Sequence, residues 1–237
     1  MRIHYIQNDP LATLGYIEEW VDKKNYSLSF TRMFENSILP SMDEFDMLVI
    51  LGGRMGAYEE ESFPWLVVEK NFIRKAIEHG KWVMGICLGV QLLANVLGSR
   101  VYPHTHQEIG WRPIEVTDEG MTSTLFNGIP PTFTAFQYHG DTFDLPQGAI
   151  RLAVSKGCAN QSFSYGERII GLQFHPEFTG DIILRLEEKF GNQISLGKYI
   201  QDPSKWGNQN VWLDGAKSVL FTVLDNMEAG VLKMESN

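Results

Sequence analysis

WVMGICLGVQLLANVLG, residues 82–98, decides the fold. Trp82–Ile86 is a short, nearly continuous apolar run, the pattern of a strand buried on both faces of a parallel sheet. It passes directly into Leu88–Leu97, whose spacing is helical and which stops at Gly98. Upstream, DMLVIL at Asp46–Leu51 is a second such run, ended by Gly52-Gly53. Between the two lies a helix over Trp65–Glu78, with Pro64 before it and Gly80 just after it. Further back, Arg2–Gln7 and Ser27–Phe34 read as strands around a helix over Leu11–Lys24. Strand, helix and strand in alternation predict a parallel sheet with helices on both faces.

Beyond Gly110 the pattern changes. Trp111–Thr117, Phe133–Tyr138, Arg151–Val154, Asn160–Tyr165 and Ile169–Phe174 read as strands with few helices between them, so antiparallel members should join the same layer. Gly180–Phe190 is then a helix. From about Asn192 the chain is polar and turn-rich, and it closes with a helix around Val211–Met227. No internal repeat or low-complexity tract interrupts it.

Gly85-Ile86-Cys87-Leu88-Gly89 puts a cysteine on the turn between strand and helix. Glycines on both sides let neighbouring backbone pass close by. The turn lifts the sulfur to the carboxyl end of the sheet, where open α/β folds bind ligands. It also sets the sulfur at a helix N-terminus, worth about 0.3–1 kcal/mol and at most about 2. That alone does not ionise an ordinary thiol at neutral pH, so a nearby imidazole is needed.

Gln173-Phe174-His175-Pro176-Glu177 supplies one at the end of another apolar strand. A carboxylate two residues on can accept a hydrogen bond from one ring nitrogen and leave the other for the sulfur. Cys87, His175 and Glu177 thus have the parts of a nucleophile, a base and its orienter.

These segments resemble the class I glutamine amidotransferases. The likeness rests on GICLGVQLLA (Gly85–Ala94), GLQFHPEF (Gly171–Phe178), Gly52-Gly53, EIGW (Glu108–Trp111) and YHGDTFDLP (Tyr138–Pro146), in the family's order. It is nearest to stand-alone proteins labelled as resembling the amidotransferase half of GMP synthase. The resemblance implies a three-layer, flavodoxin-like α/β domain with a mixed central sheet over residues 1–192 and a C-terminal helical extension over 193–237 packed on it. It implies Cys87 as nucleophile, His175 as base and Glu177 as orienter. The backbone N–H groups of Gly53 and Leu88 become the oxyanion hole, and Gln91, His139, Gly140 and Asp141 the holders of the substrate's backbone end. Arg54 departs from the pattern, standing where proline is common. A cation there could pair with a carboxylate on something larger than glutamine.

The reaction expected is thiolate attack on the glutamine side-chain amide, protonation of the departing ammonia by His175, and hydrolysis of a γ-glutamyl thioester. It needs no metal or cofactor. Three settings remain: a glutaminase passing ammonia to a separate synthetase subunit, a free-standing hydrolase of γ-glutamyl compounds, and a non-catalytic binding protein. The intact Cys87, His175 and Glu177 argue against the last. The length leaves no room for an ATP-pyrophosphatase domain, and no phosphate loop of the G-x-x-x-x-G-K-[ST] kind is present. An α/β-hydrolase is excluded by order, since its acid precedes its histidine.

Composition narrows the setting. With 237 residues, 43% hydrophobic and 21% charged, the chain is an ordinary globular one. A formal net charge of −9 repels phosphate backbones, so nucleic acid is a poor partner. No apolar run approaches a membrane span, and MRIHYIQNDP carries no secretory signal, so the expected compartment is cytoplasmic and both cysteines thiols. Cys158 lacks a turn of this kind and a base, and is expected to be non-catalytic. His4 should be structural. His104 and His106 have no companion ligands and should lie on an exposed loop.

Overall fold

The computed structural model describes residues 1–35, 38–207 and 209–235, of which 233–235 as backbone alone; positions 208 and 236–237 of the expected extension lie outside it. The described residues form a nine-stranded sheet in the order β2-β1-β3-β4-β9-β8-β7-β5-β6. β1 (Arg2–Gln7), β2 (Ser27–Arg32), β3 (Met47–Ile50), β4 (Trp82–Ile86) and β9 (Ile169–Leu172) run parallel. β5 (Val101–Val116), β6 (Thr132–Phe143), β7 (Ile150–Val154) and β8 (Ser162–Tyr165) join antiparallel. The sheet is therefore mixed, as expected.

β3 shows why its apolar run is continuous. Met47 and Val49 enter the core on one face, Leu48 and Ile50 the core on the other. A strand buried on both sides has no polar position to alternate with. The first core takes α1 (Tyr16–Lys24) and α6 (Asn210–Glu235); the second takes α2 (Trp65–Glu78) and α3 (Leu88–Val96). This makes three layers. α6 contributes Val219, Leu220, Val223, Leu224 and Met227 to the first core, and Trp20 Nε1 donates to Asp225 at 2.9 Å. A third cluster joins Trp111 and Phe136 to Ile183 on α5 (Gly180–Phe190), to Trp206 and to Ala216.

Two expectations change. The helix expected from Leu11 starts at Tyr16, because Gly15 has φ +52° and ψ −127° and breaks the spiral. Pro103-His104-Thr105-His106 is not a loop but part of β5, which pairs with β6 across a bulge between Pro103 and Glu108. His139-Gly140-Asp141 lies within β6. Among the described residues no helix is long and apolar enough to cross a membrane.

Candidate active site

Cys87 is the N-cap of α3 and has φ +53°, a left-handed conformation that costs a non-glycine residue about 1–3 kcal/mol. Packing enforces it. A Cβ on Gly85 would lie 2.5 Å from the Gly89 carbonyl, and one on Gly89 would lie 2.2 Å from the Ile50 carbonyl oxygen. Strand and helix therefore meet backbone to backbone, and the turn between them is forced outward. The Cys87 N–H donates to the Leu172 carbonyl at 2.8 Å, tying the turn to β9.

β9 leads into His175, whose N–H donates to Phe136 O at 2.8 Å. Its Nδ1 is 2.7 Å from Glu177 Oε1, and the Phe178 ring stacks on it at 4.0 Å with a 21° tilt. With Nδ1 engaged by the carboxylate, Nε2 is the nitrogen left for the sulfur. A Cβ on Gly52 would be 3.4 Å from both Cys87 Cβ and His175 Cε1, so the two side chains converge over that glycine. Burial opposes a charged ring here. The Glu177 carboxylate and the Cys87 sulfur outweigh it and push His175 up to about 10. Both neighbours thus favour the charged form of the ring.

Glu177 is held from behind. Its carbonyl accepts from Tyr16 N at 2.9 Å, at the start of α1. Gly53 lies against Asn8 and Leu88, and Leu88 is the first residue of α3, where N–H groups have no partner within the helix.

The cavity at Cys87 is about 620 Å³ and includes Tyr58, Glu59, Gln91, Tyr138, His139 and Asp141 in its wall. The structure thus brings Gly53, Gln91, His139, Gly140 and Asp141 to the same cavity as Cys87. Gln91 Nε2 donates to Gln173 Oε1 at 3.1 Å. His139 in the cavity wall is anchored through both ring nitrogens, Nε2 on Glu108 Oε2 at 3.2 Å and Nδ1 on the Asp141 carbonyl at 3.0 Å. Glu108 also accepts from Gln161 at 2.5 Å and from Ser155 at 2.7 Å. Burial raises the Asp141 carboxyl, against a hydrogen bond from Tyr58.

Arg54 is exposed yet not free. Its Nε donates to Asp9 Oδ2 at 2.6 Å, and Asp9 is buried. Cys158 is buried 3.3 Å from Thr142 Oγ1, and burial pushes its thiol up. His4 is buried between Ser29 and Thr31, and burial lowers it to about 4.

Sequence reasoning missed Gly15, Asp9, Phe178's stacking role and the cavity wall at Phe190–Ser195. Of these, Gly15 alone carried a signal, a glycine before helical spacing.

A left-handed cysteine between strand and helix, facing a carboxylate-held histidine in a mixed α/β sheet, defines a class of enzyme fold. The chain belongs to the class-I glutamine amidotransferase family, whose model matches residues 21–182. It is similar to the glutamine amidotransferase-like protein YfeJ of Salmonella typhimurium, 33% identical over 77% of this chain and 78% of that one. Gamma-glutamyl peptidase 5 of Arabidopsis thaliana is 28% identical over 71% of this chain and 68% of its own. A crystal structure of a glutamine amidotransferase from Thermotoga maritima shares 34% identity with a TM-score of 0.82, covering 96% of this chain and 97% of that one. Bacterial GMP synthases also match, over about a quarter of their own length or less.

Proposed function

We propose that this chain hydrolyses the side-chain amide of glutamine, or of a closely related γ-glutamyl compound, through a thioester on Cys87. The observation that carries this reading is the 2.7 Å contact of Glu177 with the His175 ring beside a cysteine on a strained strand-to-helix turn. Cys87 attacks the amide carbon. The developing oxyanion takes hydrogen bonds from the N–H groups of Gly53 and Leu88, each worth roughly 10²–10³ in rate. His175 protonates the departing amine and then deprotonates the water that cleaves the thioester. Gln91, His139, Gly140 and Asp141 hold the charged backbone end of the substrate in the polar cavity.

Two settings share this chemistry: delivery of ammonia to a separate synthetase, as the likeness to GMP synthases suggests, and hydrolysis by the chain alone, as the likeness to a gamma-glutamyl peptidase suggests. The deciding experiment follows product release from the purified chain on glutamine, glutathione and γ-glutamyl dipeptides. Activity alone supports the free hydrolase. Silence, relieved by adding a synthetase, supports the ammonia-delivering subunit. Cys87→Ala should abolish turnover and Cys158→Ala should keep it; the reverse would sink the site.

A further inference from the structure

The space around Cys87 has two lobes of opposite character, and His175 faces just one. Beside the large polar lobe lies a smaller one of about 70 Å³, walled mostly by apolar side chains (Leu11, Ala12, Leu51, Phe178 and Leu186), with His175, Glu177, Thr13 and the Arg54-paired Asp9 also bordering it. Cys87, Gly53, Arg54, Tyr138 and Phe190 border both lobes.

The position of the acid fixes which part of a substrate enters which lobe. The bond that breaks joins the amide carbon to nitrogen, and the nitrogen takes its proton from His175. The nitrogen, with anything attached to it, must therefore lie on the His175 side. The other end of a γ-glutamyl group carries a carboxylate and an ammonium. Burying those among apolar side chains without partners would cost several kcal/mol, so they go to the polar lobe.

Glutamine would leave the small lobe unfilled, since its leaving group is ammonia. At about 70 Å³ against about 620 Å³ for the polar lobe, the small lobe suits a compact group. Arg54 at the rim does not make the lobe a carboxylate site, because its Nε is already paired with buried Asp9 at 2.6 Å.

We propose that the small lobe is a leaving-group subsite, and that the chain acts on N-substituted γ-glutamyl amides whose amine carries a compact, uncharged apolar substituent. This rests on the Cys87 thioester route. The thiolate forms the C–S bond as the C–N bond breaks, and the amine departs with the proton of the His175 imidazolium. Water then adds to the thioester, giving one proton back to His175. Glutamate and the free amine are the products, with no oxidant or reductant.

The test compares kcat/KM of the purified chain on glutamine, γ-glutamyl ethylamide, γ-glutamylalanine and γ-glutamyl benzylamide. A carbon in a fitted apolar pocket is worth about 10-fold or more. The ethylamide should exceed glutamine by at least that factor, and the charged and the bulky amides should fall about 10-fold or more below the ethylamide. Leu186→Trp, which fills the lobe, should lower the ethylamide-to-glutamine ratio by about 10-fold or more; a ratio taken on one protein is immune to partial misfolding. An ethylamide no better than glutamine, or a ratio untouched by Leu186→Trp, overturns the subsite while glutamine turnover leaves the thioester route standing. γ-Glutamylalanine outrunning the ethylamide overturns the uncharged substituent and makes the outer Arg54 nitrogens a carboxylate reader. Silence on every substrate, with Cys87 unacylated, removes the thioester route and the subsite with it.

Discussion

Gly15 and Glu177 approach so closely that a Cβ on Gly15 would lie 2.0 Å from the Glu177 carbonyl oxygen. The next residue's N–H donates to that same oxygen at 2.9 Å. The start of α1 is therefore a brace for the residue that orients His175. Gly15→Ala meets both a clash and a φ of +52°, so it should cost at least about 1–3 kcal/mol. Glu177 should shift with it, so the residual activity per folded molecule, measured beside a thermal melt, should fall about 10-fold or more. Wild-type specific activity in the folded fraction would make the brace structural alone.

Glu177→Gln keeps the shape and removes the charge. Without the carboxylate, burial dominates at His175 and the ring loses its charge at lower pH. The expected result is a loss of roughly 10²–10⁴ in kcat, a thermal midpoint near that of the wild type, and a pH–rate profile moved toward acid. A large fall in midpoint with normal kcat would make Glu177 a folding residue.

Glu69 offers a pH signature away from the sulfur. It is fully buried on α2, and burial pushes its carboxyl up to about 8, against a hydrogen bond from Asn8 at 3.0 Å and the charge of Lys70. Lys70 is itself paired with Glu60, and Asp9 beside Asn8 is paired with Arg54. Glu69 Oε2 and Asn8 Oδ1 find no partner among the described residues; one proton on Oε2 can serve both. A folded value above the unfolded one means stability present in full below about 4.5 and lost as pH rises through about 8. Glu69→Gln carries the same donor and acceptor without titrating. Its denaturation midpoint should therefore be flatter between those pH values than the wild type's. Parallel pH dependences would show that the carboxyl is not the group responsible.

Glu108 lies under the polar lobe and gathers His139, Gln161 and Ser155. In Glu108→Gln an amide N–H faces donors, leaving a buried group unpaired at about 1–3 kcal/mol. Because His139 walls the cavity and is not placed at the sulfur, KM for glutamine should rise about 3-fold or more, with kcat changed less. A fall in kcat at constant KM would put Glu108 in the chemistry.

The parallel half of the sheet was legible because strands buried on both faces leave uninterrupted apolar runs such as Met47–Ile50. Cys87 and His175 were legible because each ends such a run. The first half of β5 was not: Tyr102–Gln107 pairs at a bulged, solvent-facing stretch and carries polar residues with no buried face to pattern them. Glu69 and Lys70 are charged, and nothing in the spacing marks them as inside, yet both are buried, with Glu69 accepting from Asn8 and Lys70 reaching Glu60. The wall at Phe190–Ser195 is the end of α5 and a short 3-10 helix, Gly191–Gln193, whose composition resembles any surface loop. Its place beside Cys87 follows from how α5 and Trp206 pack on Phe136.

That wall lies outside residues 21–182, the stretch that matches the class-I glutamine amidotransferase model. Cys87, His175 and Glu177 fall inside it; Phe190, Gln193, Ile194 and Ser195 fall after it, and Leu11 and Ala12 before it. Part of the cavity wall is thus written on other lengths of the polypeptide than the sulfur and the imidazole, while Leu51, Gln91, His139, Asp141 and Phe178 stand within the matched stretch. Exchanging the flanking lengths between relatives would recut that part of the wall around an unchanged sulfur.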